Sequence, residues 1–361
     1  MVYCFETFCE QAKPVEIKLK NIYVMKCPTC NADCILPEEN VLDEIFGKYL
    51  ACMACPPDPK FLKSTAILER LNSHSGKCSK CGKRHLDFVI GNVLTILKEK
   101  GQFPQDAALR EVGTPLIAFG FKVPYPPRLG NKSLVLVMDS VTQEIADEIM
   151  KHVPEVKGVV KRIGDQSQSI GILDTTNLPH TYELLAGCDM RCDVVSSLFG
   201  ELCVYKNQSK IHIEFNNTKI VKIEELFLRG ELENATIVDG LCGPGTLGML
   251  CILAGARKVI FNDAWLPALE NTILNLKVNS SLLGIKINFE KVDHHKLIGD
   301  EPVLLASAKG TAQVLVYHGD IRKLGAVVKE SDICLIDAFP AMDPSNFVAA
   351  CKDFSKKTII I

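Results

Sequence analysis

Residues 235–256, ATIVDGLCGPGTLGMLCILAGA, followed at 258–263 by KVIFND, decide the fold of this chain. Thr236–Val238 is a short apolar run suited to a buried strand, a glycine-bearing turn follows, and the next segment is rich in helix formers. Glycines at 240, 243 and 245 let the backbone approach a ligand closely, and the helix that follows offers free N–H groups beside them. Asp239, Gly240, Gly243 and Gly245 are therefore candidate cofactor-binding residues. The second strand closes on Asp263, twenty residues beyond Gly243, where a carboxylate can accept hydrogen bonds from ribose hydroxyls.

Downstream the alternation continues, which predicts a parallel sheet with helical crossovers. After the helical pattern ALENTILNLKVN comes VLVYHGD, closing on Asp320, an acid placed to meet an adenine amino group while the N–H of Ile321 reads a ring nitrogen. DICLIDAFP then sets Asp337 and Pro340 at the carboxyl end of a fourth strand. Ligands of open α/β sheets lie outside those carboxyl ends, so these positions converge on one crevice. The loop Gly240-Leu-Cys-Gly243-Pro-Gly245 fits the GxGxxG fingerprint of nicotinamide enzymes poorly. TIII at 358–361 predicts a fifth strand, after which the chain stops without the last antiparallel pair of such sheets. A sheet shortened in this way leaves an edge that a partner subunit of a homo-oligomer could cover.

Taken together, SLVLVMDSVTQEIADEIMKHVPEVKGVVKRIG, YELLAG at 182–187, VDGLCGPGTLG, HGDIRKL at 318–324 and DAFPAMDPSNFVAAC at 337–351 resemble the tRNA guanine-N1 methyltransferase and wybutosine-synthesis group of class I methyltransferases. The collinear order is more specific than any one motif. The resemblance implies a Rossmann-like α/β sheet and S-adenosylmethionine held by the glycine loop, Asp263 and Asp320. It also implies a tRNA-like partner whose target base sits beside DAFP, where the family carries Asn-Leu-Pro. Asp337 thus replaces an asparagine, and with Pro340 it is a candidate catalytic residue. The family's acidic base upstream of the loop corresponds to Glu224 or Glu225, with Glu225 preferred, although Arg229 one helical turn away makes a surface ion pair the plainer expectation for it. Methyl transfer to a small-molecule acceptor and non-catalytic binding of S-adenosylmethionine are the rival readings.

Upstream, LVLVMD reads as a strand and SVTQEIADEIMKHV as an amphipathic helix capped by Ser140 or Thr142. KGVVKRIG, YELLAG, CDVVSSLFG and ELCVYKNQ follow as short elements. The expected organisation is a cysteine-rich module at 1–90, a helix and linker at 91–131, a small α+β domain at 132–217 and the Rossmann-like domain at 218–361. Sixteen cysteines are many for a chain with no secretory signal pattern, read as cytoplasmic, where disulfides are rarely kept. Three C-x-x-C pairs stand out: Cys27/Cys30, Cys52/Cys55 and Cys78/Cys81. Two residues between thiolates let both sulfurs of a tight turn face one ion. Six thiolates overfill one tetrahedral site, whereas adding Cys34 and either His85 or His74 supplies two. One or two zinc ions are expected, with iron–sulfur ligation as the competing chemistry. Cys188, Cys192, Cys203, Cys242, Cys251, Cys334 and Cys351 lack that spacing and read as buried small side chains.

A net charge of −2 argues against bulk attraction to nucleic acid or membrane, and no apolar run is long enough to span a bilayer. An RNA partner would need local charge. Lys77, Lys80, Lys83 and Arg84 form one small basic stretch, and Lys157–Arg162 another.

Overall fold

The computed structural model describes residues 25–120, 126–164, 180–212, 218–289, 296–339 and 342–361. The first helix, α1 (Glu38–Lys48), precedes a cysteine-bearing stretch, after which β1 (Arg84–His85) leads into α2 (Leu86–Glu99). α2 carries Val89, Val93, Leu94 and Leu97 into an apolar core. Strands β2 (Thr114–Ile117), β3 (Phe119–Gly120), β4 (Arg128–Leu129) and β5 (Leu134–Met138) follow, then α3 (Gln143–His152) and β6 (Val156–Lys161). Thr142 caps α3, its hydroxyl accepting the N–H of Ile145. β7 (Glu183–Gly187) completes a four-stranded sheet in the order β2-β5-β6-β7. The stretch read from sequence as helix and linker thus supplies an antiparallel edge strand, with Thr114 opposite Val137 and Ile117 opposite Leu134.

β8 (Met190–Ser197) and β9 (Gly200–Asn207) form a long hairpin, joined on the β8 side by the short β3. On its other side β9 meets no strand among the described residues. Instead it pairs with a ladder of asparagines on a later helix: Asn271, Asn275 and Asn279 accept the N–H groups of Asn207 (3.2 Å), Tyr205 (2.7 Å) and Cys203 (3.0 Å). Asn275 and Asn279 also donate to the carbonyls of Tyr205 and Cys203. Four residues of helix rise about 6 Å and two of strand nearly 7 Å, so i, i+4 asparagines match alternate strand residues.

The C-terminal half begins with α4 (Thr218–Leu228) and then alternates: β10 (Thr236–Asp239), α5 (Thr246–Leu253), β11 (Lys258–Asp263), α6 (Leu266–Val278), α7 (Ser280–Leu283). β10 is buried along its whole length and β11 except at its two ends, as parallel strands covered on both faces must be. β12 (Ile285–Phe289) and β13 (Val303–Gly310) precede β14 (Gln313–His318), β15 (Ser331–Ile336), α8 (Ser345–Cys351) and β16 (Ser355–Ile360). The seven strands lie in the order β12-β13-β14-β11-β10-β15-β16, parallel except where β13 pairs with β12 and β14. This is the Rossmann-like α/β sheet expected, with Thr358–Ile360 of TIII in its edge strand β16. An antiparallel pair is present too, but at the opposite edge, where β12 and β13 extend β14. The sequence reading passed over both strands; the turn Gly310-Thr311-Ala312 before Gln313 was the available signal. No helix among the described residues is long and apolar enough to cross a membrane.

Candidate functional site

Strand order reverses between β10 and β15, and at such a switch point the carboxyl ends of the strands open a crevice. The turn from β10 to α5 lies there. Gly243 (φ 52°) and Gly245 (φ 83°) take left-handed conformations that L side chains resist. A Cβ at Gly245 would also come within 2.8 Å of Thr272. α6 fastens the turn from outside: Thr272 Oγ1 donates to the Gly243 carbonyl (2.8 Å) and Asn275 Nδ2 to that of Pro244 (2.9 Å). Buried Asn262 donates to the carbonyls of Gly240 (3.1 Å) and Gly319 (3.0 Å), tying together the loops after β10 and β14. Asn262, Thr272 and Asn275 went unnoticed in the sequence, where an asparagine inside a strand or helix looks merely tolerated.

Four carboxylates stand at successive strand ends. Asp263 accepts the N–H of Gly243 (3.0 Å) and of Trp265 (2.9 Å); burial nonetheless pushes its pKa up to about 6. Among the described residues Asp239 accepts only the N–H of Gly248 (2.9 Å) and its buried Oδ1 has no hydrogen-bond partner; burial pushes it up to about 7. Burial works upward on Asp320 as well, but hydrogen bonds from Arg322 outweigh it and hold this carboxyl below its ordinary value. Asp320 caps the short 3-10 turn Ile321–Ala326 through the N–H of Arg322 (2.9 Å), and Ile321 is buried beneath Gly240. Asp337, just past β15, forms an ion pair with Lys219 of α4 at 2.7 Å. Lys219 had not been singled out from sequence.

The upstream acid is a correction. Glu225 lies on α4 in exposed ion pairs with Lys222 and Arg229, both 3.3 Å. It stands six residues beyond Lys219, about 9 Å along the helix and on a different face, so it does not share the Asp337 site. Glu224 instead accepts the N–H of Leu198 (2.8 Å). Pro340 lies outside the described residues.

The cysteines assemble into two sets of four, each able to hold a metal ion: Cys27, Cys30, Cys34 and Cys188, and Cys52, Cys55, Cys78 and Cys81. His85 is not among them. It caps α2, its Nδ1 accepting the N–H of Asp87 (3.1 Å), and it is buried between that helix and β4. The eighth candidate ligand is Cys188, which lacks the C-x-x-C spacing and so reads in the sequence as a buried small side chain.

Both basic stretches are also corrected. Arg84 is wholly buried in a two-pronged ion pair with Glu155 (2.7 and 2.5 Å), and its remaining nitrogen donates to the Asn72 carbonyl. Lys83 donates to the carbonyls of Gly47 and Leu50. Lys157 is buried and donates to the Met190 carbonyl, while Arg162 pairs with Asp139. Lys77 and Lys80 stay exposed.

No family model matches the chain, and no curated protein matches it. It is similar to the solved tRNA m1G37 methyltransferase of M. jannaschii, with 18% identity over 62% of this chain and 53% of that chain and a TM-score of 0.34. It is also similar to wild-type Trm5b from Pyrococcus abyssi, with 14% identity over 63% of this chain and 55% of that chain and a TM-score of 0.35. TYW2 of P. horikoshii in complex with MeSAdo matches at 15% identity over 74% of this chain and 76% of that chain, with a TM-score of 0.41. The first two are thus spanned over little more than half their own length.

Proposed function

We propose that this chain is an S-adenosylmethionine-dependent methyltransferase acting on a base nitrogen of a structured RNA such as tRNA. The observation that carries the reading is the turn at the switch point, where Gly243 and Gly245 are left-handed, the Gly243 N–H is bound to Asp263 and α6 fastens the carbonyls of Gly243 and Pro244. This backbone is held open for close approach by a ligand, with acids at the neighbouring strand ends. The donor set fits the cofactor: Asp263 toward the ribose, Asp320 and the Ile321 N–H toward the adenine. The orphaned Oδ1 of Asp239 suits the ammonium of the methionine part.

When bound, the cofactor supplies an electrophilic methyl on a sulfonium, so the protein's task is chiefly to align a nucleophile and accept any proton it loses. Asp337, steadied by Lys219, is the group suited to orient an acceptor N–H or take that proton. One observation favours a second reading, a compact small-molecule acceptor. Arg84, Lys157 and Arg162 are engaged inside the protein, which leaves less free positive charge for phosphates than the sequence suggests.

Labelled methyl donor offered in parallel to total RNA and to a small-molecule extract separates the two. Label entering RNA, with binding that weakens as salt rises, is the expected result. Label confined to the small-molecule pool overturns the RNA assignment. Failure of the protein to bind S-adenosylmethionine or its demethylated product in calorimetry overturns the whole reading.

A further inference from the structure

The sulfur positions in the two cysteine sets obey one metric. Sγ–Sγ separations are 3.7 Å for Cys27/Cys188, 3.6 Å for Cys30/Cys34 and 3.8 Å for Cys34/Cys188. In the other set they are 3.6 Å for Cys52/Cys78, 3.8 Å for Cys52/Cys55 and 3.6 Å for Cys55/Cys81. A single zinc ion with Zn–S bonds of about 2.3 Å places the corners of its tetrahedron about 3.8 Å apart. The buried pair Cys334 and Cys351 does not follow this spacing: the two sulfurs lie 3.2 Å apart with no third thiol beside them among the described residues.

The backbone repeats the same device in both sets. In Cys27–Ala32 the N–H of Asn31 bonds the Cys27 carbonyl (2.8 Å) and that of Cys27 bonds the Ala32 carbonyl (2.9 Å). In Cys78–Lys83 the N–H of Gly82 bonds the Cys78 carbonyl (3.0 Å) and that of Cys78 bonds the Lys83 carbonyl (3.0 Å). Asn31 (φ 54°) and Gly82 (φ 70°) both take the left-handed turn that aims two sulfurs at one point. The sets differ in their other half. Cys52/Cys55 provides a second pair close in sequence, whereas Cys34 is completed by Cys188, which lies between β7 and β8.

We propose that both sets are all-sulfur zinc sites, and that the one closed by Cys188 is a tether that pins residues 25–37 onto the β7–β8 turn. Without a bond at Cys188, that segment is held chiefly by Tyr205, whose hydroxyl accepts the Leu36 N–H (3.0 Å), and by apolar packing. The backbone also holds Cys188 in place: its N–H donates to the Lys157 carbonyl of β6 (2.9 Å). The second site gathers its own stretch, residues 52–83, without reaching the β7–β8 turn.

The full chain, purified without chelator, should contain two zinc ions, one per set. X-ray absorption on the unmutated protein should show a sulfur-only shell at about 2.3 Å. Cys188→Ser should halve the zinc content and speed hydrogen exchange across 25–37, leaving 52–83 protected. Cys81→Ser should also halve the zinc but leave 25–37 protected. His85→Ala should keep both ions. Nitrogen in the shell, full zinc in Cys188→Ser, zinc loss in His85→Ala, or iron with labile sulfide in place of zinc would each overturn the assignment. Because the absorption measurement needs no variant, misfolding of Cys188→Ser cannot hide the answer.

Discussion

The N-terminal part of the chain and the C-terminal sheet are built on opposite plans. In the sheet, each acid of the crevice follows directly from the strand before it: Asp239 closes β10, Asp263 closes β11, Asp320 follows β14 and Asp337 follows β15. In the N-terminal part, the groups that matter find partners far along the chain: Arg84 pairs with Glu155, 71 residues on, and Cys34 approaches Cys188, 154 residues on. A repeated local unit makes a site by repetition, whereas a loop-rich segment too small for a core of its own must be fastened from outside.

The largest effect should come from breaking that fastening. Arg84→Ala leaves Glu155 as a buried, uncompensated charge, and equilibrium unfolding should show a loss of roughly 3–5 kcal/mol, against a negligible loss if the contact were a surface pair. A small loss would mean that the N-terminal part does not depend on distant contacts.

The sheet side is tested by pH. The folded-state pKa values of Asp239 and Asp263 are raised from 3.8 to about 7 and about 6, so between these limits the folded protein binds more protons than the unfolded chain. The associated stability is present in full below about 3.8 and is lost as pH rises through about 7. Thermal unfolding of the ligand-free protein should therefore show a decline over that range, and Asp239→Asn should flatten it. An unchanged slope in the variant would remove Asp239 as its source.

Independence of the two regions can be read from Asp263→Ala. Calorimetry should find S-adenosylmethionine binding weakened by roughly 1–3 kcal/mol, the scale of losing hydrogen bonds to a charged group, while metal content stays constant. A coupled loss of zinc would blur the contrast. The smallest effect is expected at His85, where alanine removes the cap of α2 at a cost of about 1 kcal/mol. A much larger loss would point to a role for its ring beyond the cap.

What could be read in advance follows the same division. The strand-turn-helix unit around Gly243 was legible because its residues are consecutive and each answers a local demand: apolar residues for a strand covered on both faces, glycine for positive φ, an acid at a strand end. A cap at Ser140 or Thr142 was legible for the same reason, and the structure gives it to Thr142. Asn271, Asn275 and Asn279 were not, because their partners on β9 become neighbours only when the hairpin docks on α6. Lys219 escaped notice because nothing in a helix sequence says which cation will face Asp337. Glu225 is suggested only by the family resemblance, and rotation about the helix axis turns it toward Lys222 and Arg229.

The sequence by itself determined the α/β class, the turn geometry at residues 240–245, the order of the acids at the strand ends and the three C-x-x-C pairs as donors of the right kind. These are properties of short stretches, where φ preference, periodicity and ligand spacing act within a few residues. Only the tertiary structure decided that Cys188 rather than His85 completes the first cysteine set, that Arg84 and Lys157 turn inward, and that β12 and β13 extend the sheet beyond β14. Each of those outcomes depends on which surfaces meet once loops of many residues have closed, and loop closure costs so little more for a long loop than for a short one that sequence separation says almost nothing about it.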